Sequence, residues 1–381
     1  MLSLLFTLIS CVTELPDTEN TDTKSDTETV TETETETETE TEDNGMIEEE
    51  FKENTYMLVD NINSLKLHGR MSAIRSGITC DFAASGIEFN VYAVGDVKLK
   101  LTHVRQTVES LKNDDVYLAV IVDGVLDARQ YKVPNGDTVE LTVASFDDSG
   151  THNIKILRKT EIKNGLLNLE SLTFTGSFLT APKSDNYYIE FIGDSITSGY
   201  GNLITNGTTP AGDADYKDAL QAYAYLTAKA LNADCSLISN SGIGLTKGYR
   251  AMLVNPFYAA ESYYRNASKV YTPERVPDLV VINVGTNDQS NKADTTAFKN
   301  DVKTLIGKVR SLYGEDIKIV WAYGMMKDGY ISYVKEATKD MDNIYTVELP
   351  RNTSAGGGHP DLTAHKAAAQ TLAEFIKNNV K

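Results

Sequence analysis

The chain has little of what would place it in several large classes of protein. Its 381 residues include three cysteines, Cys11, Cys80 and Cys235, with no close spacing that would suggest a disulfide framework. Cys80 and Cys235 are therefore expected as free, buried thiols. Five histidines and these few cysteines make no run with metal-ligand spacing, and there is no glycine-rich phosphate loop. Neither a metal nor a cofactor is expected. Lys and Arg are nowhere clustered, which argues against nucleic acid as a partner. The apolar run at residues 1–10 falls well short of the roughly 20 residues that span a bilayer.

What the chain does have is acid, unevenly placed. Residues 12–50 hold 16 Asp and Glu against one Lys, which is −15 of the formal −18 and leaves a nearly neutral body. Within that stretch, residues 27–42 alternate Thr with Glu and offer no apolar face, so they predict a disordered, self-repelling linker rather than a strand. A charged linker extends, and would hold a folded body away from a surface. The leader ends Leu8-Ile9-Ser10-Cys11, which resembles the lipobox of bacterial lipoproteins, although no Lys or Arg precedes its apolar run. Residues 1–11 are accordingly read as a lipoprotein-type signal with Cys11 as lipid anchor, and 12–50 as the linker. Export to the cell surface, or else secretion, is expected, with the anchor as the only membrane contact.

Residues 51–184 read as short strand-like runs between Gly, Asn and Asp turns. The runs are 87–93, 97–101, 116–122, 138–143, 152–158 and 172–175, and their spacing predicts a β-sandwich or jelly roll. Residues 185–381 instead alternate strands with longer helical segments. Strands are predicted at 187–193, 235–239, 279–284, 317–323 and 344–348, and helices near 217–231, 295–312, 330–339 and 361–378. That alternation predicts an α/β fold, a parallel sheet covered by helices on both faces, with function at the carboxyl ends of its strands.

Three of those strand ends carry unusual residues, and the chain end adds a fourth set. Gly193-Asp194-Ser195 follows the first strand, where a serine at a strand-to-helix turn would expose its hydroxyl near a positive helix end. The same tripeptide is also an ordinary turn and helix cap. Asn240-Ser241-Gly242-Ile243-Gly244 follows the second strand, and its glycines would let backbone N–H groups approach a substrate. Gly285-Thr286-Asn287-Asp288 closes the third, offering the Asn287 amide as a donor. Gly356-Gly357-Gly358-His359-Pro360 precedes the last helix, and the proline favours an extended backbone at His359. With Ser195 available, His359 is the natural general base.

Taken in this order, the four sets resemble the sequence blocks of the SGNH/GDSL hydrolase superfamily. Within it, residues 189–201 resemble carbohydrate esterase family 2, the acetyl xylan esterase-like group. So do Gly69-Arg70, Ser85-Gly86-Ile87-Glu88-Phe89, Val122-Asp123-Gly124 and Arg158-Lys159-Thr160-Glu161 upstream. The resemblance runs from about residue 67 to the chain end. It implies an N-terminal jelly roll joined to a flavodoxin-like SGNH hydrolase domain that removes acetyl groups from plant cell-wall polysaccharide such as xylan or glucomannan. Carried over by residue, it implies Ser195 as nucleophile, His359 as base, and an oxyanion hole from the Ser195 and Gly244 N–H groups with the Asn287 amide. Gly242 competes with Gly244 for that role. Asp194 is expected to shape the turn rather than relay protons. Two other readings stay open, a lipase- or thioesterase-like hydrolase of the superfamily and a surface carbohydrate-binding protein with weak esterase activity.

One departure stands out. Many SGNH enzymes place an Asp three residues before the base, and here that position is Gly356. Asp361 suits the first turn of the last helix instead, so a Ser-His dyad is expected, its ring N–H held by a backbone carbonyl near Gly356. Trp321 is a candidate for lining the sugar or acyl site, with core packing as its equal competitor. Tyr263 and Tyr264 are weaker candidates for a cleft wall, and His365 is expected to be structural.

Overall fold

The computed structural model describes residues 52–104, 114–205, 214–249, 257–262 and 264–380. The leader, Cys11 and the acidic linker lie outside the described residues, as does Tyr263.

The strand-rich part comprises β1 (Glu53–Met57), β2 (Leu65–His68), β3 (Ala73–Ile74), β4 (Gly77–Thr79), β5 (Gly86–Val104), β6 (Val116–Val122), β7 (Val125–Leu126), β8 (Tyr131–Val133), β9 (Thr138–Arg158) and β10 (Leu166–Phe178). They form one sheet in the order β3-β4-β10-β5-β9-β6-β7, with β1 on β10, β2 on β5 and β8 on β6. Two expected turn regions do not interrupt it. The runs at 87–93 and 97–101 belong to one 19-residue strand, β5, and those at 138–143 and 152–158 to one 21-residue strand, β9. Straight strands of that length would reach about 60–70 Å. They bend instead, with register shifts between Ala93 and Gly95 and between Val97 and Lys98, and with Gly95 in the left-handed region at φ +72. Such irregularities kink a strand and add twist. The sheet thus closes on one core, which includes Phe89, Leu99, Val116, Ile154 and Phe174, as a β-sandwich region.

The α/β part contains β11 (Tyr188–Gly193), β12 (Asp234–Ser239), a small hairpin of β13 (Ala260–Ser262) and β14 (Asn266–Val270), β15 (Leu279–Asn283), β16 (Ile319–Gly324) and β17 (Ile344–Leu349). The hairpin aside, these strands pair in parallel in the order β12-β11-β15-β16-β17. This is the flavodoxin-like order, whose direction reverses between β11 and β15, and ligands of such sheets bind beyond the carboxyl ends at that reversal. Side chains alternate between two apolar faces. Phe191, Val281 and Val320 pack with α1 (Tyr223–Ala230) and α5 (Leu362–Asn379). Ile192, Ile282 and Ile319 pack with α3 (Thr295–Tyr313) and α4 (Ile331–Thr338), while α2 (Thr286–Ser290) is a short helix directly after β15. Covering both faces is why these strands are largely apolar.

Two expectations are corrected here. The helix predicted over 217–231 is only α1, preceded by two 3-10 turns, because Asp218 caps Leu220 at 3.0 Å and Ala222 is extended at ψ 154. Trp321 is fully buried on the α3 and α4 face, its indole N–H reaching the Val284 carbonyl at 3.4 Å, so it has no face to offer a sugar.

Buried charge fastens the two parts together. Arg70, from the strand-rich part, donates to the carbonyls of Tyr258 and Ala260 at 2.8 and 2.9 Å and reaches Glu190 on β11 at 3.4 Å. Arg265 grips Asp81 at 2.6 and 2.7 Å. Ions removed from water are tolerated only when paired in this way. Cys80 and Cys235 are free and buried, as expected.

Candidate active site

Ser195 stands two residues beyond β11. A Cβ on Gly193 would lie 1.9 Å from Thr197 Oγ1, so only glycine lets this turn close. The Asp194 carboxylate then shapes it: one oxygen accepts the Ile196 N–H at 2.9 Å and the other the Asn287 amide at 3.2 Å. Burial raises Asp194 to about 7, against the Ile196 bond and assisted by the negative charges of Asp288 and Glu161. The helix expected behind Ser195 is replaced by successive turns, including Tyr200 N–H to the Ser195 carbonyl at 2.9 Å. Gly199 and Gly201, at φ +71 and +66, keep these turns from continuing as a helix, since left-handed residues cannot extend a right-handed one.

His359 comes from the turn before α5. Gly357 and Gly358 are both left-handed, and His359 itself is extended at φ −87 and ψ 166, as a residue before proline should be. Its Nε2 lies 2.8 Å from Ser195 Oγ, and its Nδ1 lies 3.3 Å from the Gly357 carbonyl. A carbonyl only accepts, which assigns the ring proton to Nδ1 and leaves Nε2 as acceptor for the serine hydroxyl. Burial pushes His359 down to about 4, partly offset by the carbonyls of Gly357 and Gly356. Asp361 does not reach the ring; it caps α5, accepting the Ala364 N–H at 2.8 Å.

The two remaining sets meet beside Ser195. The Asn287 amide donates to the Ile243 carbonyl at 2.8 Å as well as to Asp194, tying the second-strand loop to the serine turn. Gly242 makes the bend at φ +83, whereas at Gly244 a Cβ would lie 2.5 Å from the Gly248 nitrogen. The two glycines thus meet different steric demands. Asp288 folds the rest of the loop by accepting the N–H groups of Leu245, Thr246 and Lys247 at 2.7–2.9 Å. Tyr249, whose N–H bonds the Gly242 carbonyl, is 65% exposed. Tyr264 is buried and accepts from Asn240 at 2.8 Å, and His365 is buried with Nδ1 accepting the Tyr223 N–H at 3.0 Å.

Four neighbours were not legible as site residues. The Tyr200 ring lies 4.7 Å from the His359 ring, and Lys163 and Lys217 lie over Tyr200 at 4.5 and 4.9 Å. Glu161 holds Lys217 at 2.8 Å and Ser241 at 2.7 Å. Burial alone would raise this carboxyl, but Lys163, Lys217 and Ser241 hold it well below the usual carboxylate range. Its only signal was membership of Arg158-Lys159-Thr160-Glu161. Among the described residues no group of three or more His, Cys, Asp or Glu is placed to hold a metal ion.

A hydroxyl bonded to a neutral imidazole, at the reversal point of a doubly wound sheet, is the arrangement of an α/β serine hydrolase. Residues 191–378 match the GDSL-like lipase/acylhydrolase family, and residues 67–182 match the carbohydrate esterase 2 N-terminal family. It is 32% identical to the cellulase/esterase CelE of Acetivibrio thermocellus over 328 residues, covering 80% of this chain and only 38% of that protein. It is 25% identical to an acetylxylan esterase / glucomannan deacetylase of Cellvibrio japonicus over 351 residues, covering 86% and 92% of the two. Among solved structures, a family two carbohydrate esterase from Clostridium thermocellum in complex with cellohexaose superposes with TM-score 0.75 at 29% identity, covering 83% of this chain and 99% of that one.

Proposed function

We propose that this chain is a carbohydrate O-acetyl esterase that deacetylates plant cell-wall polysaccharide of the xylan or glucomannan kind, working through a Ser195-His359 dyad. The observation that carries the reading is the 2.8 Å contact between Ser195 Oγ and His359 Nε2, with Nδ1 held by a carbonyl rather than a carboxylate. The names of the esterase relatives support the substrate class.

His359 takes the serine proton as Oγ attacks the ester carbonyl. The negative charge that develops on the carbonyl oxygen is met by the N–H groups of Ser195 and Gly244 and by the Asn287 amide. Collapse returns the proton through His359 to the departing sugar oxygen and leaves an acetyl-serine. Water, deprotonated by His359, then releases acetate and restores the hydroxyl. Before substrate enters, both Asn287 donors are in use, on Ile243 and Asp194. The longer bond, to Asp194, is the one the oxyanion would take over.

The exposed ring of Tyr249, beside the Gly242 bend, suits the face of a sugar. It also favours the second reading, a surface carbohydrate-binding protein with weak turnover. Retention of polysaccharide by Ser195→Ala, with negligible turnover by the parent, would select that reading. Preference for long acyl chains over acetyl on 4-nitrophenyl esters would select a lipase-like hydrolase instead. Export, a lipid anchor at Cys11 and a spacer over residues 12–50 complete the proposal. Labelled fatty acid should enter the parent and not Cys11→Ala.

A further inference from the structure

Glu161 belongs to the strand-rich part by sequence, yet its carboxylate is fully buried next to the candidate active site. Oε2 accepts the Ser241 backbone N–H at 2.7 Å. Oε1 accepts the Ser241 hydroxyl at 2.7 Å and Lys217 Nζ at 2.8 Å, with Lys163 Nζ at 3.5 Å. Ser198 Oγ lies 3.4 Å from Oε2. Two routes lead from this one charge to the reacting groups. Ser241 opens the loop whose Ile243 carbonyl holds Asn287. Lys163 and Lys217 lie over Tyr200, whose ring stands against His359.

We infer that Glu161 is a positioning residue for the Ser195-His359 reaction, supplied by the strand-rich part, so that the α/β part does not hold a complete active site by itself. The inference rests on the esterase reading above. An oxyanion hole works only if its donors are held where charge develops, and a misplacement of about 1 Å can cost about a hundredfold in rate. Glu161 fixes the loop that carries Gly244 and, through Ile243, the Asn287 amide. It also neutralises two ammonium groups that would otherwise oppose the imidazolium formed during each proton transfer. The other titratable groups around the ring are Tyr200 and, from the α5 end, Asp361 and His365.

In the full chain, Glu161→Gln is expected to lower kcat for acetate release from acetylated xylan by about 30-fold or more, with KM changed by less than about threefold. Loss of the anion beside two lysines should also move the acidic limb of kcat/KM to lower pH. A buried ammonium left without its partner can unfold a chain, so Glu161→Gln/Lys217→Met, which removes both charges, is measured beside it. The double variant should recover the thermal midpoint but not kcat. Ser241→Ala, which removes a hydroxyl bond to Glu161 but no charge, should lower kcat with the fold intact. Parent-like kcat in folded Glu161→Gln, kcat recovering together with the midpoint in the double variant, or unchanged kcat in Ser241→Ala would each overturn the inference. A parent that releases no acetate would sink the esterase reading and this one with it, whereas an active parent with parent-like variants would sink only this one.

Discussion

An imidazole serves as general base only while neutral, so the acid limb of the rate reads how deeply His359 is buried. With His359 at about 4, about 90% of the enzyme holds the neutral ring at pH 5, whereas at the ordinary value of about 6.5 only about 3% would. Relative to pH 8, kcat/KM at pH 5 is expected to stand at about 0.9 rather than about 0.03, a difference of roughly thirtyfold. The assay is acetate release from acetylated xylan below KM, from pH 4 to 8 at fixed ionic strength, with near-UV circular dichroism confirming the fold at each point. Half-maximal activity between pH 6 and 7 would refute the reasoning, because it would mean that the surroundings of the ring do not disfavour its charged form. Stability should follow the same burial. The lowered folded value means the unfolded chain binds more protons between about 4 and 6.5, so this stabilisation is complete above about 6.5 and is lost as pH falls through about 4. His365, pushed to about 3 by burial, acts in the same direction. Asp194, raised to about 7, acts in the opposite one, its contribution fading as pH rises through about 7.

Three further outcomes follow from particular contacts. Asp361→Asn should leave both activity and stability within a few-fold and a few tenths of a kcal/mol, because Asn caps a helix as well as Asp does; a loss matching His359→Ala would overturn the dyad. Trp321→Ala should destabilise the fold by about 3–5 kcal/mol in urea titration, while the KM of the folded fraction stays at the parent value; a specific rise in KM would return Trp321 to the sugar site. Tyr249→Ala should raise KM on polysaccharide about five- to thirtyfold, corresponding to about 1–2 kcal/mol, and leave small acetyl esters unaffected; equal effects on both would place the ring in loop folding instead.

Much of this architecture was legible because local pattern and tertiary role coincide. The apolar strands of the parallel sheet, the glycine-bounded turns beyond them and the His359-Pro360 step all state their geometry in the sequence. The failures have physical reasons. Gly95 and residues 147–150 read as turns, but β5 and β9 run through them because a bulge absorbs the irregularity without breaking the pairing. Lys217 and Asp218 read as helix, yet one is drawn to Glu161 and the other caps a 3-10 turn. Tyr200 and Glu161 stood in the sequence only as members of the 189–201 and 158–161 blocks, with nothing to mark them as site residues. Glu161 meets Ser241 across 80 residues of chain, and only the packing of the strand-rich part onto the α/β part brings them together.

The central claim is that Ser195 and His359 together hydrolyse sugar acetates. Acetate release from acetylated xylan and acetylated glucomannan by the full chain, beside Ser195→Ala and His359→Ala at equal folded concentration, tests it most directly. Release by the parent is expected, with a fall of at least about 10³-fold in each variant. Release by either variant at the parent's rate, or none by the parent from either polymer or from small acetyl esters, would contradict it.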